Sequence, residues 1–372
     1  MAKAPHNPPF RAEHIGSLLR PDSIKEARDR HEAGEISDTD LNAIEDQAIR
    51  EVVALQEDLG LEVITDGEFR RSTYSEFFTT TGLDGVAAEY VGGGDWEYVD
   101  ASGDRQPARV PTVHGKIKWS GPTNIAAFTF LKGITKKTPK LTMPGPCYIH
   151  YRAGRANISK DVYPDLDDFW SDLIAAYHKE LEALAAVGCT YIQLDETSIP
   201  KLADPKIQNA LKIRGDNWQQ LLSVYADVIN AVIDGAPKEI HFGMHLCRGN
   251  KRGHWQAEGG YDQVADMTFR KLHIPFYFLE YDSDRAGSFE PLATVPDDKC
   301  VVLGLFSTKS GTIEDKDAIK ARIKEASKFI DLERLCVSPQ CGFSSSVHGV
   351  TTPDQQKAKL SRVIEVAQEV WG

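Results

Sequence analysis

The sequence predicts a closed (β/α)8 barrel, an α/β fold in which helices cover a ring of parallel strands. Strand-like and helical segments alternate along nearly the whole chain, and about eight such units can be counted. The length of 372 residues suits one large barrel. No GxGxxG motif follows an early strand, and this removes the main signal for an open, doubly wound dinucleotide-binding sheet. We therefore predict one barrel domain over residues 1–372.

The helical units show apolar periodicity together with capping residues. The first long pattern covers 37–59, begins at a Ser or Asp and stops at Gly60. The next covers 163–188 and ends at Gly188. Further helical patterns are found at 217–235, 261–272, 315–330 and 351–371. The strand-like segments between and before them are 62–69, 189–199, 239–247, 275–283, 299–311 and 335–345.

The segment 85–121 does not fit this alternation. It is polar and Gly-rich, and it is too long for an ordinary connection in a barrel. We predict an irregular insertion that lies over one end of the barrel.

Charge and composition exclude several classes of partner. The net charge of −12 and the pI near 5.4 argue against binding to nucleic acid or to an anionic membrane. No apolar run reaches the length of a membrane span, and the first residues lack the apolar core of a signal peptide. Six scattered cysteines are too few for a disulfide scaffold, so we expect a reducing, cytoplasmic setting.

The carboxyl ends of the predicted strands, where barrel enzymes place their active sites, are rich in polar residues. His245 and Cys247 are two apart in a strand and should therefore point to the same side. Glu280 and Cys341 end later strands on the same arc. Two thiolates, an imidazole and a carboxylate suit tetrahedral Zn²⁺.

Each of these residues also has a simpler interpretation. His245 could be a hydrogen-bonded structural residue, and Cys341 could be a small buried apolar side chain. Glu280 could form a salt bridge with Arg285. The convergence of all four residues on one barrel end favours the metal site.

The motifs HIGSLLRP, DGEFRRSTYSEFF, MPGP, QLDE, HLC, FLEYDS, VLGL and SPQCGFSS occur in this order along the chain. With them the sequence resembles the cobalamin-independent methionine synthase family, in its zinc-binding catalytic half. The resemblance implies that His245, Cys247, Glu280 and Cys341 hold zinc. It also implies that the amino-acid end of homocysteine is held by Ile15, Ser17, Glu68 and Asp195, the last two being the candidate catalytic carboxylates. The expected activity is zinc-dependent thiol S-methylation, which converts homocysteine to methionine with a methyl-folate or methyl-corrinoid donor.

Two departures from the family pattern leave the methyl donor open. The full-length enzymes of the family carry a second, N-terminal half, for which this chain is too short. The family also has a histidine in the loop after the VLGL strand, whereas this sequence has Ser307, Thr308 and Lys309 there.

Two other functions suit the same residues. The first is another zinc-activated thiol alkylation, of the epoxyalkane–coenzyme M transferase type. A sulfonate thiol would need basic residues, and Arg70, Arg71 and Arg248 lie near the motifs in sequence. The second is a structural-zinc barrel that only binds a ligand, with four protein ligands and none displaceable.

Overall fold

The structure is a computed structural model that describes residues 8–91, 96–152, 154–345 and 349–372. Its helices are α1 (Asp22–Glu32), α2 (Asp38–Leu59), α3 (Ile125–Ile134), α4 (Tyr148–Tyr151), α5 (Leu166–Ala186), α6 (Pro205–Arg214), α7 (Trp218–Asp234), α8 (Lys316–Ala326) and α9 (Pro353–Trp371). Its strands are β1 (Val63–Ile64), β2 (Leu83–Val91), β3 (Tyr98–Val99), β4 (Arg105–Gln106), β5 (Ala108–Trp119), β6 (Thr138–Pro139), β7 (Leu141–Pro144), β8 (Tyr191–Glu196), β9 (His241–Leu246), β10 (Phe276–Glu280), β11 (Cys300–Phe306) and β12 (Leu335–Pro339).

The central sheet consists of parallel strands in the order of the sequence. Strands β7 to β12 each pair with the next strand along the chain. Strand β1 pairs in parallel with β6, which is separated from β7 by the single residue Lys140. Ala12 forms an isolated parallel bridge to Val337 in β12. The prediction of a parallel sheet with alternating helices is confirmed, whereas these ladders alone do not join into the predicted ring of eight strands.

The strands are buried on both faces because side chains cover both faces. Every position of β8 and β11 is buried, as expected for parallel strands between two layers of side chains. The largest apolar cluster fills the space between the sheet and the helices. A smaller cluster on the other face of the sheet joins Phe10 and Ile15, which precede the first helix, to strand residues: Val63, Tyr191, Phe276, Phe278, Cys300, Val302 and Cys336.

The helices begin and end at residues that the sequence identifies. Ser37 caps α2 in a reciprocal capping box with Asp40, and Gly60 ends the helix at a φ of 92°. Thr352 caps α9 in the same way with Gln355. The pattern at 261–272 forms a short π-helical segment, Asp266–Lys271, in place of a full α-helix.

The described residues of the segment 85–121 form an antiparallel β-hairpin, so the prediction that the segment is irregular is wrong. Strands β2 and β5 pair antiparallel along most of their length, and β3 pairs with β4 near the tip. The backbone groups of Val99 and Trp255 exchange two hydrogen bonds of 2.7 Å, which attach the hairpin to the chain after β9. Residues 92–95 of the segment lie outside the described residues. Only part of β5 is buried, which explains why no apolar alternation was visible in the sequence.

Among the described residues, none of the helices has the length and apolar character needed to cross a lipid bilayer.

Candidate active site

One cavity lies at the carboxyl ends of the parallel strands. Strands β8 and β9 place Asp195 and His245 side by side in the parallel ladder. The cavity is lined by all the predicted site residues except Glu280: Ile15, Ser17, Glu68, Asp195, His245, Cys247 and Cys341. The fold therefore brings together residues that are more than 300 positions apart in the chain.

Three of the four predicted metal ligands form a compact buried cluster. The ligand atoms of His245, Cys247 and Cys341 all lie within 4.8 Å of one another, and the two sulfur atoms are 3.7 Å apart. Both ring nitrogens of His245 are buried and have no hydrogen-bond partner among the described residues. A buried imidazole in this condition loses its hydration without replacement, which argues against a purely structural histidine. The residues thus fit a metal that accepts nitrogen and sulfur ligands, such as Zn²⁺.

The two thiol groups are close enough for a hydrogen bond between them. A hydrogen bond from Cys341 lowers the pKa of Cys247 well below its ordinary value, and donating that bond raises the pKa of Cys341 well above its own. The backbone N–H of Gly249 also donates to the Cys247 sulfur at 3.2 Å. Burial acts to lower the pKa of His245, but the adjacent Cys247 sulfur raises it overall. The surroundings of Cys247 therefore favour its thiolate, the form that binds metals.

Glu280 stands next to this cluster with its carboxylate engaged elsewhere. One oxygen forms an ion pair of 3.1 Å with Lys309, and the other accepts a 2.7 Å hydrogen bond from the backbone N–H of Arg248. Burial acts to raise the pKa of Glu280, but the charges of Lys309 and Arg248 lower it to about 2. Glu280 is thus a buried, ionised carboxylate, and its role as fourth ligand remains a prediction.

The sequence did not reveal the partner of Glu280. Arg285, the partner considered there, pairs with Asp282 at 3.4 Å, while Lys309 reaches Glu280 from the loop after β11. Burial acts to lower the pKa of Lys309, but the negative charge of Glu280 raises it above its ordinary value. The only available signal was the position of Lys309, where the family has a histidine.

Glu68 presents one unused carboxylate oxygen at the cavity. Oε1 accepts hydrogen bonds from Arg71 at 2.8 Å and from Thr142 at 2.9 Å, whereas Oε2 is buried and has no hydrogen-bond partner in the described part of the chain. The backbone of Glu68 has a φ of 61°, which is uncommon for a residue other than glycine. Such a conformation persists where the surroundings enforce it, often at functional sites.

Asp195 is the second carboxylate of the cavity. Gln193 donates a 2.8 Å hydrogen bond to it, and burial raises its pKa to about 7, with the charge of His245 acting in the opposite direction. An ammonium group beside Glu68 and Asp195 would pair with buried acidic oxygens that lack a full set of partners. The two acids therefore suit the amino group of an amino acid.

A further part of the lining is basic and was not found from the sequence. It contains Arg152 and Lys201 together with Tyr98 and Tyr148. Burial lowers the pKa of Lys201 to about 7, and the neighbouring charge of Arg152 acts in the same direction. No motif or periodic pattern in the sequence marks Arg152 or Lys201 as site residues. Only the folded chain places them in the cavity.

The arginines that would support the rival thiol-alkylating function do not line the cavity. Arg70 pairs with Glu45 and Asp46, and Arg71 is bound to Glu68. Arg248 is fully buried against Tyr261. These three residues therefore do not favour a sulfonate thiol as substrate.

Comparison with known proteins identifies the family. Residues 10–369 match the family model described as the catalytic domain of cobalamin-independent synthases. The chain belongs to this family. Two uncharacterized Bacillus subtilis proteins, YxjH and YxjG, are each 39% identical to it, and each alignment covers 98% of this chain and 95% of the relative.

Proteins named as methionine synthases or homocysteine methyltransferases resemble the chain at lower sequence identity. The 5-methyltetrahydropteroyltriglutamate–homocysteine methyltransferase of Bacillus licheniformis is 23% identical over 96% of this chain, which spans only 42% of that enzyme. A crystal structure from Listeria monocytogenes, assigned provisionally as a vitamin-B12 independent methionine synthase, is 34% identical with a TM-score of 0.76 and full coverage of both chains. A B12-independent methionine synthase from Shewanella, solved with selenomethionine, shares the fold at 20% identity, a TM-score of 0.72 and 97% coverage of each chain.

Proposed function

We propose that the protein is a zinc-dependent thiol S-methyltransferase that converts homocysteine to methionine. The observation that carries this proposal is the cluster of His245, Cys247 and Cys341, which opens into the same cavity as Glu68 and Asp195. A thiol-activating centre and an ammonium-binding pair in one cavity match a substrate with both groups.

His245, Cys247 and Cys341 would hold the zinc ion, with Glu280 as the fourth and displaceable ligand. When bound, zinc supplies Lewis acidity that keeps a substrate thiol deprotonated and nucleophilic at neutral pH. Lys309 offers Glu280 a second partner, so the carboxylate remains charge-paired whether or not it contacts the metal site. A site with a ligand that can leave does not fit the alternative of a closed, purely structural zinc.

The remaining residues bind and orient the amino-acid end of homocysteine. Glu68 and Asp195 accept hydrogen bonds from the ammonium group, and Ser17 and Ile15 line the same end of the cavity. All four are buried, so the bound amino acid is shielded from water and its thiol is directed to the cysteine cluster.

The methyl donor is a methyl-folate or a methyl-corrinoid. Methyl transfer from N5 of a folate leaves a nitrogen that must take up a proton, whereas a reduced cobalt leaves without one. Lys309 is a poor acid for this step because Glu280 holds its ammonium and raises its pKa. This arrangement favours the methyl-corrinoid, provided that no other group supplies the proton.

A single closed (β/α)8 barrel over residues 1–372 is the architecture that we propose for this site. Lys140 lies between β6 and β7, yet its Nζ is 4.8 Å from the ring centre of Phe278 in β10. Two strands, β8 and β9, lie between β7 and β10, so three inter-strand spacings would separate them by about 14 Å in a flat sheet. The contact therefore supports a sheet that curves back on itself, as does the cluster that joins Val63 and Ile15 to the inner residues of β10 and β11.

The proposed setting is the cytoplasm, with the thiol substrate and the methyl donor as small-molecule partners. All six cysteines are free and buried, as expected in a reducing compartment. The acidic net charge supports the prediction that neither nucleic acid nor a membrane is a partner.

The decisive experiment incubates the purified, zinc-loaded protein with homocysteine and either methylcobalamin or methyltetrahydrofolate, and it measures methionine. We expect methionine with at least one donor and about one zinc ion per chain. Cys247→Ser should lose both the zinc and the activity, because it removes a thiolate from the cluster. Cys300→Ser, which changes a buried cysteine outside the cluster, is the matched control. Full zinc occupancy and activity in Cys247→Ser would contradict the metal assignment.

A further inference from the structure

Two buried cations of the cavity have incomplete sets of hydrogen bonds. Lys201 has no exposed surface, and its Nζ has no hydrogen-bond partner in the described part of the chain. Arg152 is 4% exposed and donates from Nη2 to the hydroxyl of Tyr98 at 2.5 Å, while its Nε and Nη1 have no partner there. Neither side chain forms an ion pair with a carboxylate of the described residues. Both line the cavity that holds the cysteine cluster.

Packing against aromatic rings does not replace the hydrogen bonds and ion pairs that Arg152 and Lys201 lack among the described residues. Arg152 lies 5.2 Å from the ring centre of Tyr98 and 5.7 Å from that of Tyr148, and Lys201 lies 5.5 Å from that of Tyr151. Such contacts stabilise a desolvated cation only in part, and they leave the remaining N–H donors without acceptors. Two buried basic groups close together, neither in an ion pair with a described residue, destabilise a fold when charged unless a bound anion offsets their charge.

We propose that Arg152 and Lys201 form a subsite for an oxyanion, a carboxylate, phosphate or sulfonate group of a small molecule bound in this cavity. The free edge of the guanidinium and the ammonium group together offer several N–H donors, which is the arrangement that oxyanions prefer. The cavity thus has an acidic part at Glu68 and Asp195 and a basic part at Arg152 and Lys201, and it orients a ligand that carries both charges.

The inference rests on the proposed function in one respect: the cavity is taken to hold the thiol acceptor and the methyl donor. The oxyanion could be the carboxylate of homocysteine or an acidic group of the donor. Both sources present the same chemistry to the subsite, and competition experiments separate them.

The direct test is a calorimetric titration of the zinc-loaded protein with inorganic sulfate. Relative to the unmodified protein, Lys201→Met and Arg152→Gln should each raise the dissociation constant for sulfate about tenfold or more, the effect of losing one charge-assisted hydrogen bond. Lys212→Met, which changes an exposed lysine on α6, should leave sulfate binding unchanged. Lys201→Met should also raise the melting temperature of the protein. A buried charge that serves ligand binding destabilises the fold, and the substitution removes that charge.

Competition then identifies the source of the oxyanion. Saturating homocysteine should weaken sulfate binding if its carboxylate occupies the subsite. Methyltetrahydrofolate or methylcobalamin should do so if the group belongs to the donor. Equal sulfate affinity in the unmodified protein and both variants would overturn the proposal, as would sulfate binding that no substrate affects. Sulfate binding does not require turnover, so a protein that binds sulfate through these residues but makes no methionine would refute the proposed function alone.

Discussion

At the scale of single residues, the site depends on which residues contact each buried ionisable side chain. Cys247 and Cys341 lie 3.7 Å apart beside His245, and Glu280 forms a buried ion pair with Lys309. The sequence could predict the first of these relationships because His245 and Cys247 alternate on one strand and Cys341 follows another strand end. It could not predict the second, since Lys309 reaches Glu280 only through the path of a loop.

Glu68→Gln should weaken homocysteine binding without affecting the metal. The change removes one negative charge that faces the substrate ammonium, and the loss of one member of such a buried pair costs about 2 kcal/mol or more, roughly a 30-fold rise in KM. Zinc content should remain unchanged, since Glu68 is not in the ligand cluster. Glu62→Gln, which changes an exposed glutamate that pairs with Lys137, is the control. Equal activity with thiols that lack an amino group would argue against this role of Glu68.

Lys309→Met should tighten zinc binding. Lys309 forms an ion pair of 3.1 Å with Glu280, so a metal that used Glu280 as a ligand would compete with the lysine for one carboxylate. Without the lysine, Glu280 is free to act as a ligand, and the nearby positive charge is also removed. We expect zinc affinity, measured by competition with a chelator, to rise about tenfold or more. Lys320→Met changes a surface lysine and should have no effect. Weaker zinc binding in Lys309→Met would show that the lysine supports the metal site.

At the scale of secondary structure elements, the segment that the sequence described least well is the one that covers the cavity. The hairpin of β2 to β5 contributes Tyr98 and Arg109 to the cavity lining. The strands and helices of the α/β units could be predicted because their burial is periodic and their ends are capped. The hairpin could not, because its strands are stabilised by pairing with each other and with Trp255, which the local sequence does not encode.

Val99→Pro tests whether this attachment shapes the cavity. Proline removes the N–H that Val99 donates to the carbonyl of Trp255, and the hairpin should then separate from the chain after β9. We expect a higher KM for the substrates and faster amide hydrogen exchange at residues 96–106, with unchanged zinc content. Ala101→Pro, at an exposed turn position of the same hairpin, is the control. Unchanged KM and hydrogen exchange in Val99→Pro would mean that the hairpin holds its place without this pair.

At the scale of the whole molecule, the beginning of the chain lies among strands that come much later in the sequence. Ala12 bridges to Val337, and Glu13 forms a buried ion pair of 3.1 Å with Lys140. Burial lowers the pKa of Lys140, while Glu13 opposes this shift. The repeated units predicted a barrel of parallel strands, and the parallel sheet is confirmed. The ion pair and the bridge could not be predicted, since each joins residues that are far apart in the sequence.

Glu13→Gln should destabilise the whole domain. Both side chains of the pair are fully buried, so the change leaves the Lys140 ammonium without its counter-charge in the interior, a loss of about 3 to 5 kcal/mol. The combined change Glu13→Gln and Lys140→Met removes the orphaned charge and should recover much of that loss. The shift of the urea unfolding midpoint measures both effects.

Glu333→Gln provides the matched control for this cycle. Glu333 also pairs with the first part of the chain, through Arg11 at 2.7 Å, but its side chain is 71% exposed. An exposed pair contributes at most about 1 kcal/mol, because water and salt screen the attraction. If the unfolding midpoint shifts no further for Glu13→Gln than for Glu333→Gln, the interior pair does not hold the start of the chain in the sheet, and the support that it gives to a closed barrel is lost. A large shift for Glu13→Gln that the second substitution reverses would show that the sheet's interior, which the site depends on, requires this charge pairing.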